Sequence, residues 1–222
     1  MKFTILYDNK AKELRPGWGF SCLIENGKRI LFDTGGDARI LEYNMNKLGI
    51  NPEEIDIQVI SHEHWDHING LDYILGKNPE LRVYGLKSFS NEFKSRIRES
   101  AELVEISEPK EIEKGIMTTG ELGSWIKEQS LIVNNTVITG CAHPGVVNIA
   151  RKAREFTEIS LIFGGFHLGG ESESSILNII SELKSLGVKN AIPCHCSGDL
   201  ARELFRREFR DYQEIYAGRV LE

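Results

Sequence analysis

Directly after a run rich in β-branched residues, Ile55 to Ile60, the chain reads His62-Glu63-His64-Trp65-Asp66-His67. Three of its six histidines fall within these six residues. Such a segment has to sit where backbone can turn and several rings can converge, and the end of a strand provides that place. A divalent transition metal is held by neutral imidazoles and carboxylates through short bonds in a small, angularly demanding shell. His62 and His64 are two apart, so in extended or looped backbone both rings reach one ion. Asp66 and His67 lie further on, point elsewhere, and suit a second ion nearby.

The remaining histidines repeat the placement. His143 stands in Cys141-Ala142-His143-Pro144-Gly145, His167 in Gly164-Gly165-Phe166-His167-Leu168-Gly169-Gly170, and His195 in Pro193-Cys194-His195-Cys196-Ser197-Gly198. Each follows or ends an expected strand beside small or turn-forming residues, and none falls in the middle of an expected helix. Loops at strand ends are where α/β folds build their sites. A lone histidine is more often structural or exposed than a ligand, which applies to His143 taken singly but not to the cluster at 62–67. His167 is read either as a ligand or as a residue that contacts substrate.

The elements around these loops alternate. Strands are expected at Phe3–Tyr7, at Phe20–Glu25 and at Arg29–Phe32, the last two closed by an Asn26-Gly27 type I′ turn. A helix at Ala38–Leu48 ends at Gly49, and the strand Ile55–Ile60 leads into the histidines. A short helix (Gly70–Leu75) and a strand (Leu81–Tyr84) follow. Residues 86–129 are the least regular stretch: a basic helix over Phe89–Arg98, a strand over Leu103–Ile106, then a charged segment. From Ser130 the order is regular. Strands fall at Leu131–Val133, Val137–Thr139, Ile159–Phe163, Val188–Ile192 and Tyr212–Tyr216, and helices at Val146–Phe156, Ser172–Leu186 and Leu200–Phe209. The pattern defines an α/β layered domain with helices outside one or two sheets.

At 222 residues, with 41% hydrophobic and 27% charged residues, one well-buried domain spanning 1–222 is expected. A net charge of −6 excludes the basic footprint that nucleic-acid binding needs. No apolar run is long enough to span a bilayer, and no signal peptide opens the chain, so a cytoplasmic location is expected. The four cysteines, Cys22, Cys141, Cys194 and Cys196, are read as reduced.

Together these residues resemble the metallo-β-lactamase fold superfamily. Its His-x-His-x-Asp-His signature stands as His62, His64, Asp66 and His67, its preceding Asp matches Asp33 in Phe32-Asp33-Thr34-Gly35-Gly36, and its later histidines match His143 and His195. The resemblance runs in consistent order over residues 20–198. It implies an αββα sandwich of two mixed β-sheets flanked by helices, with the site at one edge. It further implies that His62, His64 and His143 hold a first metal, that Asp66, His67 and His195 hold a second, and that Asp33 orients the ligands from behind. One or two divalent ions are implied, zinc foremost, with manganese or iron as alternatives. The family Asp that bridges two metals has no counterpart, since Phe163–Leu168 carries no carboxylate, and His167 stands near its place. The sequences around His143, His167 and His195 resemble the dihydropteroate-synthase-like branch. That branch includes an archaeal enzyme that joins a dihydropterin methyl diphosphate to a ribofuranosylaminobenzene phosphate.

Other residues allow two readings each. Cys141, Cys194 and Cys196 are read as small buried packing residues that point away from the metals, against direct coordination by thiolate. Gly35 lets the chain turn near the metals. Lys87, Lys94, Arg96 and Arg98, within an insert over 86–129 on the substrate side, are either a solvated helix face or contacts to an anionic substrate. Trp18 and Trp125 are either packing residues or pocket walls.

The leading expectation is a hydrolase or transferase acting on a phosphorylated or diphosphate-bearing small molecule, a dihydropterin among the options. Asp66 would take a proton as well as ligate, and His167 would assist. The partner is a small anionic molecule, with neither nucleic acid nor membrane. The rivals are a di-iron redox or oxygen-handling enzyme on the same fold, which would want further carboxylate ligands, and a non-catalytic metal-binding module.

Overall fold

Buried apolar residues on β1 (Lys2–Tyr7), β2 (Ser21–Glu25) and β3 (Arg29–Phe32) pair these strands antiparallel. The β2–β3 pairing closes at Glu25 and Arg29 around a three-residue loop in which only Gly27 has a positive φ, 79°. A type I′ turn needs two such residues. The expected two-residue turn is therefore replaced by a loop one residue longer.

The computed structural model describes residues 1–222, which form two compact units: Met1–Ser107 with Ile215–Glu222, and Glu108–Glu214. In the first unit, β4 (Ile57–Val59), β5 (Arg82–Leu86) and β6 (Glu102–Ile106) extend the sheet in parallel from β3, and β13 (Val220–Leu221) closes its other edge against β1. The strand order is β13-β1-β2-β3-β4-β5-β6. Parallel strands covered on both faces bury successive residues: Ile57, Gln58 and Val59 are all buried, with the Gln58 amide donating to the Leu31 carbonyl at 3.0 Å. Helix α1 (Ala38–Leu48) starts at Asp37, whose carboxylate accepts from the Arg39 amide at 2.8 Å, and stops at Gly49 in the left-handed region. A single helical turn, α2 (Trp65–Ile68), precedes α3 (Leu71–Lys77) and α4 (Asn91–Arg98).

The second unit holds a six-stranded mixed sheet, ordered β12-β11-β10-β9-β8-β7. Strands β7 (Lys110–Glu113), β8 (Ile116–Thr118), β9 (Leu131–Val133) and β10 (Thr136–Thr139) are antiparallel, and β11 (Leu161–Gly165) and β12 (Asn190–Cys194) run parallel to β10. Helices α5 (Val146–Ala153), α6 (Glu173–Ser185) and α7 (Asp199–Glu208) pack on it through Ile149, Ile176, Ile180 and Phe205. Thr139 pairs with Gly164, and Gly165 with Cys194. This register puts the carboxyl ends of β10, β11 and β12 side by side, so the loops bearing His143, His167 and His195 emerge together.

Three expectations change. The segment 86–129 is divided between the units: its first part forms α4 and β6, its second the β7–β8 hairpin. No strand forms at Tyr212–Tyr216, because the free edge of β1 is taken by Val220 and Leu221, opposite Thr4 and Phe3. His67 lies inside a helical turn, not in a loop. No helix is long and apolar enough to cross a membrane.

Candidate metal centre

In the first unit the histidines are organised by Asp33. Its carboxylate is fully buried at the end of β3. One oxygen accepts from the Ser61 amide at 2.7 Å; the other accepts from the Ser61 hydroxyl at 2.6 Å and meets His67 Nδ1 at 2.7 Å. A carboxylate on Nδ1 fixes the ring and leaves Nε2 as the free lone pair, the arrangement metal-binding histidines need. His67 Nε2 lies 3.7 Å from Asp66 Oδ2. The Ser61 hydroxyl also reaches His62 Nδ1 at 2.8 Å, which turns His62 Nε2 toward His64 Nδ1, 3.1 Å away. Two nitrogens bound to one tetrahedral ion at about 2.0–2.1 Å stand roughly 3.3–3.4 Å apart. The His62–His64 pair thus fits a shared ion with little movement.

The loop that carries Asp33 is held close to its neighbours. Gly35 has φ 71°, and a Cβ there would lie 2.4 Å from the Tyr7 ring. Only glycine lets the chain turn past that ring. Burial pushes the Tyr7 hydroxyl up to about 12, aided by Asp37, so it stays protonated.

The second unit holds a matching arrangement that the sequence does not reveal. Glu128 is almost wholly buried. One of its oxygens accepts from the amides of Cys141 and Ala142 at 2.9 and 2.8 Å. The other accepts from the His143 amide and meets His143 Nδ1, each at 2.9 Å. His143 is thereby fixed with Nε2 outward, as His67 is by Asp33. The exposed His167 ring stands 4.7 Å from that of His143, and His195 is buried at the end of β12. Glu128 lies fifteen positions before His143, in the irregular stretch; a lone acidic residue there carries no motif.

Cys141 and Cys194 are buried as a packing role asks, and Cys196 is the one that departs from it. Cys196 does not follow His195 on an extended segment, because residues His195–Ser197 make a tight turn in which His195 has φ 47°. The turn carries Cys196 Sγ to 3.3 Å from Cys141 Sγ. Hydrogen bonding with Cys141, then with His167, holds the Cys196 thiol well below the ordinary thiol range. Cys22 is wholly buried and its thiol is pushed up by burial alone.

The basic residues of α4 are paired within the first unit. Lys94 Nζ meets Glu105 at 3.2 Å and the Lys87 carbonyl at 3.0 Å; Arg96 meets Asp72 at 3.1 Å and lies over the Phe93 ring. Arg98 also pairs with Glu105. Lys94, Arg96 and Arg98 therefore form an ion-paired face. Glu63 turns to the start of α4, accepting from the Ser90 amide at 2.7 Å, so its carboxylate is engaged away from the histidine rings.

A pocket of about 580 Å³ opens in the second unit, lined by Leu122, Trp125, Ile126, His143, Asn148 and His167 among others. Trp125 is 99% exposed at its rim. It sits in a loop pinched by reciprocal backbone hydrogen bonds between Leu122 and Glu128, both 3.0 Å.

Residues 15–127 match the family model of the metallo-beta-lactamase superfamily. The chain belongs to that superfamily, and its two mixed sheets with flanking helices are those of the fold. It is 30% identical to the 7,8-dihydropterin-6-methyl-4-(beta-D-ribofuranosyl)-aminobenzene-5'-phosphate synthase of Methanocaldococcus jannaschii, over all of this chain and 96% of that protein. A second, uncharacterised protein of that organism is 32% identical over 87% of this chain and 90% of its own length. Among solved structures, Tm1679, a metal-dependent hydrolase of the beta-lactamase superfamily, superposes with a TM-score of 0.87 at 29% identity, covering 100% of this chain and 98% of that one.

Proposed function

We propose that this chain is a metal-dependent enzyme acting on a phosphorylated or diphosphate-bearing small molecule, a dihydropterin foremost. The observation that carries the reading is the second-unit pocket, with the His143 and His167 imidazoles on its wall and Trp125 at its rim. A flat aromatic beside imidazoles suits a planar heterocycle that bears an anionic group. Similarity over the whole chain to a synthase whose name carries a dihydropterin and a phosphate supports the same substrate class.

On the family pattern, His62, His64 and His143 hold one ion and Asp66, His67 and His195 a second, with zinc first and manganese or iron as alternatives. Bound there, a divalent ion supplies Lewis acidity that polarises the group under attack and stabilises a departing phosphate or diphosphate. The chain's own residues do the rest. Asp33 and Glu128 fix the tautomers of His67 and His143. Asp66 accepts the proton released by the attacking nucleophile. His167 contacts the anionic end of the substrate in the pocket. Hydrolysis and transfer differ in the nucleophile alone: water in the first, an arylamine in the second. The di-iron alternative wants a further carboxylate ligand, and Glu63 is committed to Ser90.

The test is turnover by protein reconstituted with zinc or manganese. Its substrates are a dihydropterin methyl diphosphate, with and without an arylamine, a phosphodiester and a lactone. Diphosphate release from the dihydropterin, abolished in His64→Ala, is expected. Turnover of the lactone or diester alone would overturn the substrate class, and failure to retain any metal would overturn the reading entirely.

A further inference from the structure

Cys141, His167 and Cys196 come from the loops that follow β10, β11 and the end of β12, and the reaction proposed above uses neither thiol. The two Sγ atoms are 3.3 Å apart. Together with a ring nitrogen of His167 they lie within 4.8 Å of one another. Gly165 makes room for this: a Cβ there would stand 2.8 Å from Cys196 Sγ and 2.3 Å from the Gly140 carbonyl. We infer that Cys141, Cys196 and His167 form a separate, thiolate-rich site for a thiophilic divalent cation of the zinc class, beyond the imidazole and carboxylate ligands of the family pattern.

The distances favour a shared cation over a disulfide. Two sulfurs on one tetrahedral ion, each bonded at about 2.3 Å, stand roughly 3.7–3.8 Å apart. A disulfide requires about 2.05 Å. The observed 3.3 Å is therefore much nearer the first geometry than the second. Thiolates beside an imidazole form a soft donor set, which selects zinc-like ions over magnesium or calcium. Binding replaces whatever proton a thiol still carries with the cation, and that proton passes to solvent. Three protein donors leave a fourth position for water or substrate. Because His167 is exposed and Cys196 partly so, the ion has a way in. An imidazole that binds through one nitrogen keeps the other, so His167 can serve this site and still face the pocket.

Cobalt(II) titration of the full chain, freed of metal and kept under reductant, tests the inference. The expected result is a near-ultraviolet sulfur-to-cobalt charge-transfer band, lost in Cys141→Ser and in Cys196→Ser, weakened in His167→Ala and retained in His64→Ala. Cys196→Ser exchanges one atom at a partly exposed position, and far-ultraviolet circular dichroism checks its fold. An unchanged band in Cys196→Ser would overturn the site, since Cys141 Sγ also lies within 4.8 Å of a His195 ring nitrogen and would then be serving that histidine's ion. A wild-type chain with free thiols and no band, or with a disulfide that survives the reductant, would overturn it too. A band without dihydropterin turnover would sink the functional reading and leave this one standing.

Discussion

A single oxygen of Glu128 meets both the backbone amide and the Nδ1 of His143, each at 2.9 Å. The same carboxylate also gathers the amides of Cys141 and Ala142, so one buried side chain fixes both the loop and the ring it carries. Asp33 does the equivalent for His67, through the Ser61 amide and hydroxyl.

Glu128→Gln keeps the shape but turns an amide NH₂ toward groups that already donate. Loss of a carboxylate behind a metal-binding histidine lowers affinity by about 10–100-fold, and that range is expected for the ion proposed at His143. Leaving a buried donor unmatched should cost about 1–3 kcal/mol of stability as well. Competition with a chelator and thermal unfolding measure the two effects. An affinity equal to wild type would detach Glu128 from the metal site.

Asp33→Asn and Ser61→Ala separate orientation of the ring from support of the loop. Ser61→Ala removes a hydroxyl that also holds His62 Nδ1 but leaves the Asp33–His67 bond, so it should cost about 0.5–1.5 kcal/mol and loosen metal binding by less than Asp33→Asn does. Asp33→Asn weakens the anchor on Nδ1 of His67, so metal affinity should fall by about 10–100-fold. Equal losses of affinity in the two variants would mean that the loop, not the ring, is what Asp33 holds.

The chemistry-bearing loops were legible because their residue types are rare and their spacing is local. Three histidines in six residues after a β-branched strand speak from one window, and the strands leading to His143 and His195 carry the apolar pairs Val137-Ile138 and Ala191-Ile192. What supports them is not local. Glu128 reaches His143 across fifteen positions, from a stretch whose β7–β8 hairpin is mostly charged and shows little alternation. The strand β11 ends in Gly164 and Gly165, which carry no strand signal, and its pairing with β10 and β12 carries it through them. Tyr212–Tyr216 reads as a strand, yet pairing depends on a free sheet edge, and Val220–Leu221 occupies it. Cys196 was expected to point away from the metals. The left-handed conformation of His195, which no propensity announces, takes the Cys196 sulfur off an extended segment and to Cys141.

Trp125→Ala should leave stability within about 0.5 kcal/mol, because the ring is exposed and supports no core. Stacking against an aromatic substrate is worth about 0.5–1.5 kcal/mol, so KM for a dihydropterin should rise by roughly 2–10-fold with kcat nearly unchanged. Steady-state kinetics with a pterin substrate, set against a non-aromatic phosphoester, provide the comparison. A KM that rises equally for both would assign Trp125 to shaping the loop.

The Cys196 thiol, held low by Cys141 first and His167 second, should remain a thiolate at pH values where an ordinary thiol is protonated. The thiolate is the nucleophile, so alkylation of a thiol with an ordinary pKa near 8.5 falls about tenfold for each pH unit below that value. In metal-free protein, modification of Cys196 by iodoacetamide should therefore stay nearly flat from about pH 8 down to pH 6. Cys22, buried with its thiol pushed up, should not react until the chain unfolds. The same shift links to stability. Between the lowered folded value and the ordinary unfolded one, the unfolded chain carries a proton that the folded chain has released. The stabilising contribution is thus fully present above the ordinary thiol range, and it is lost as pH falls toward the lowered value. Cys141→Ala removes the first cause and should restore a steep pH dependence to Cys196 alkylation, read by peptide mass spectrometry. A wild-type rate that falls in parallel with a free thiol would show that the neighbours do not hold the thiolate.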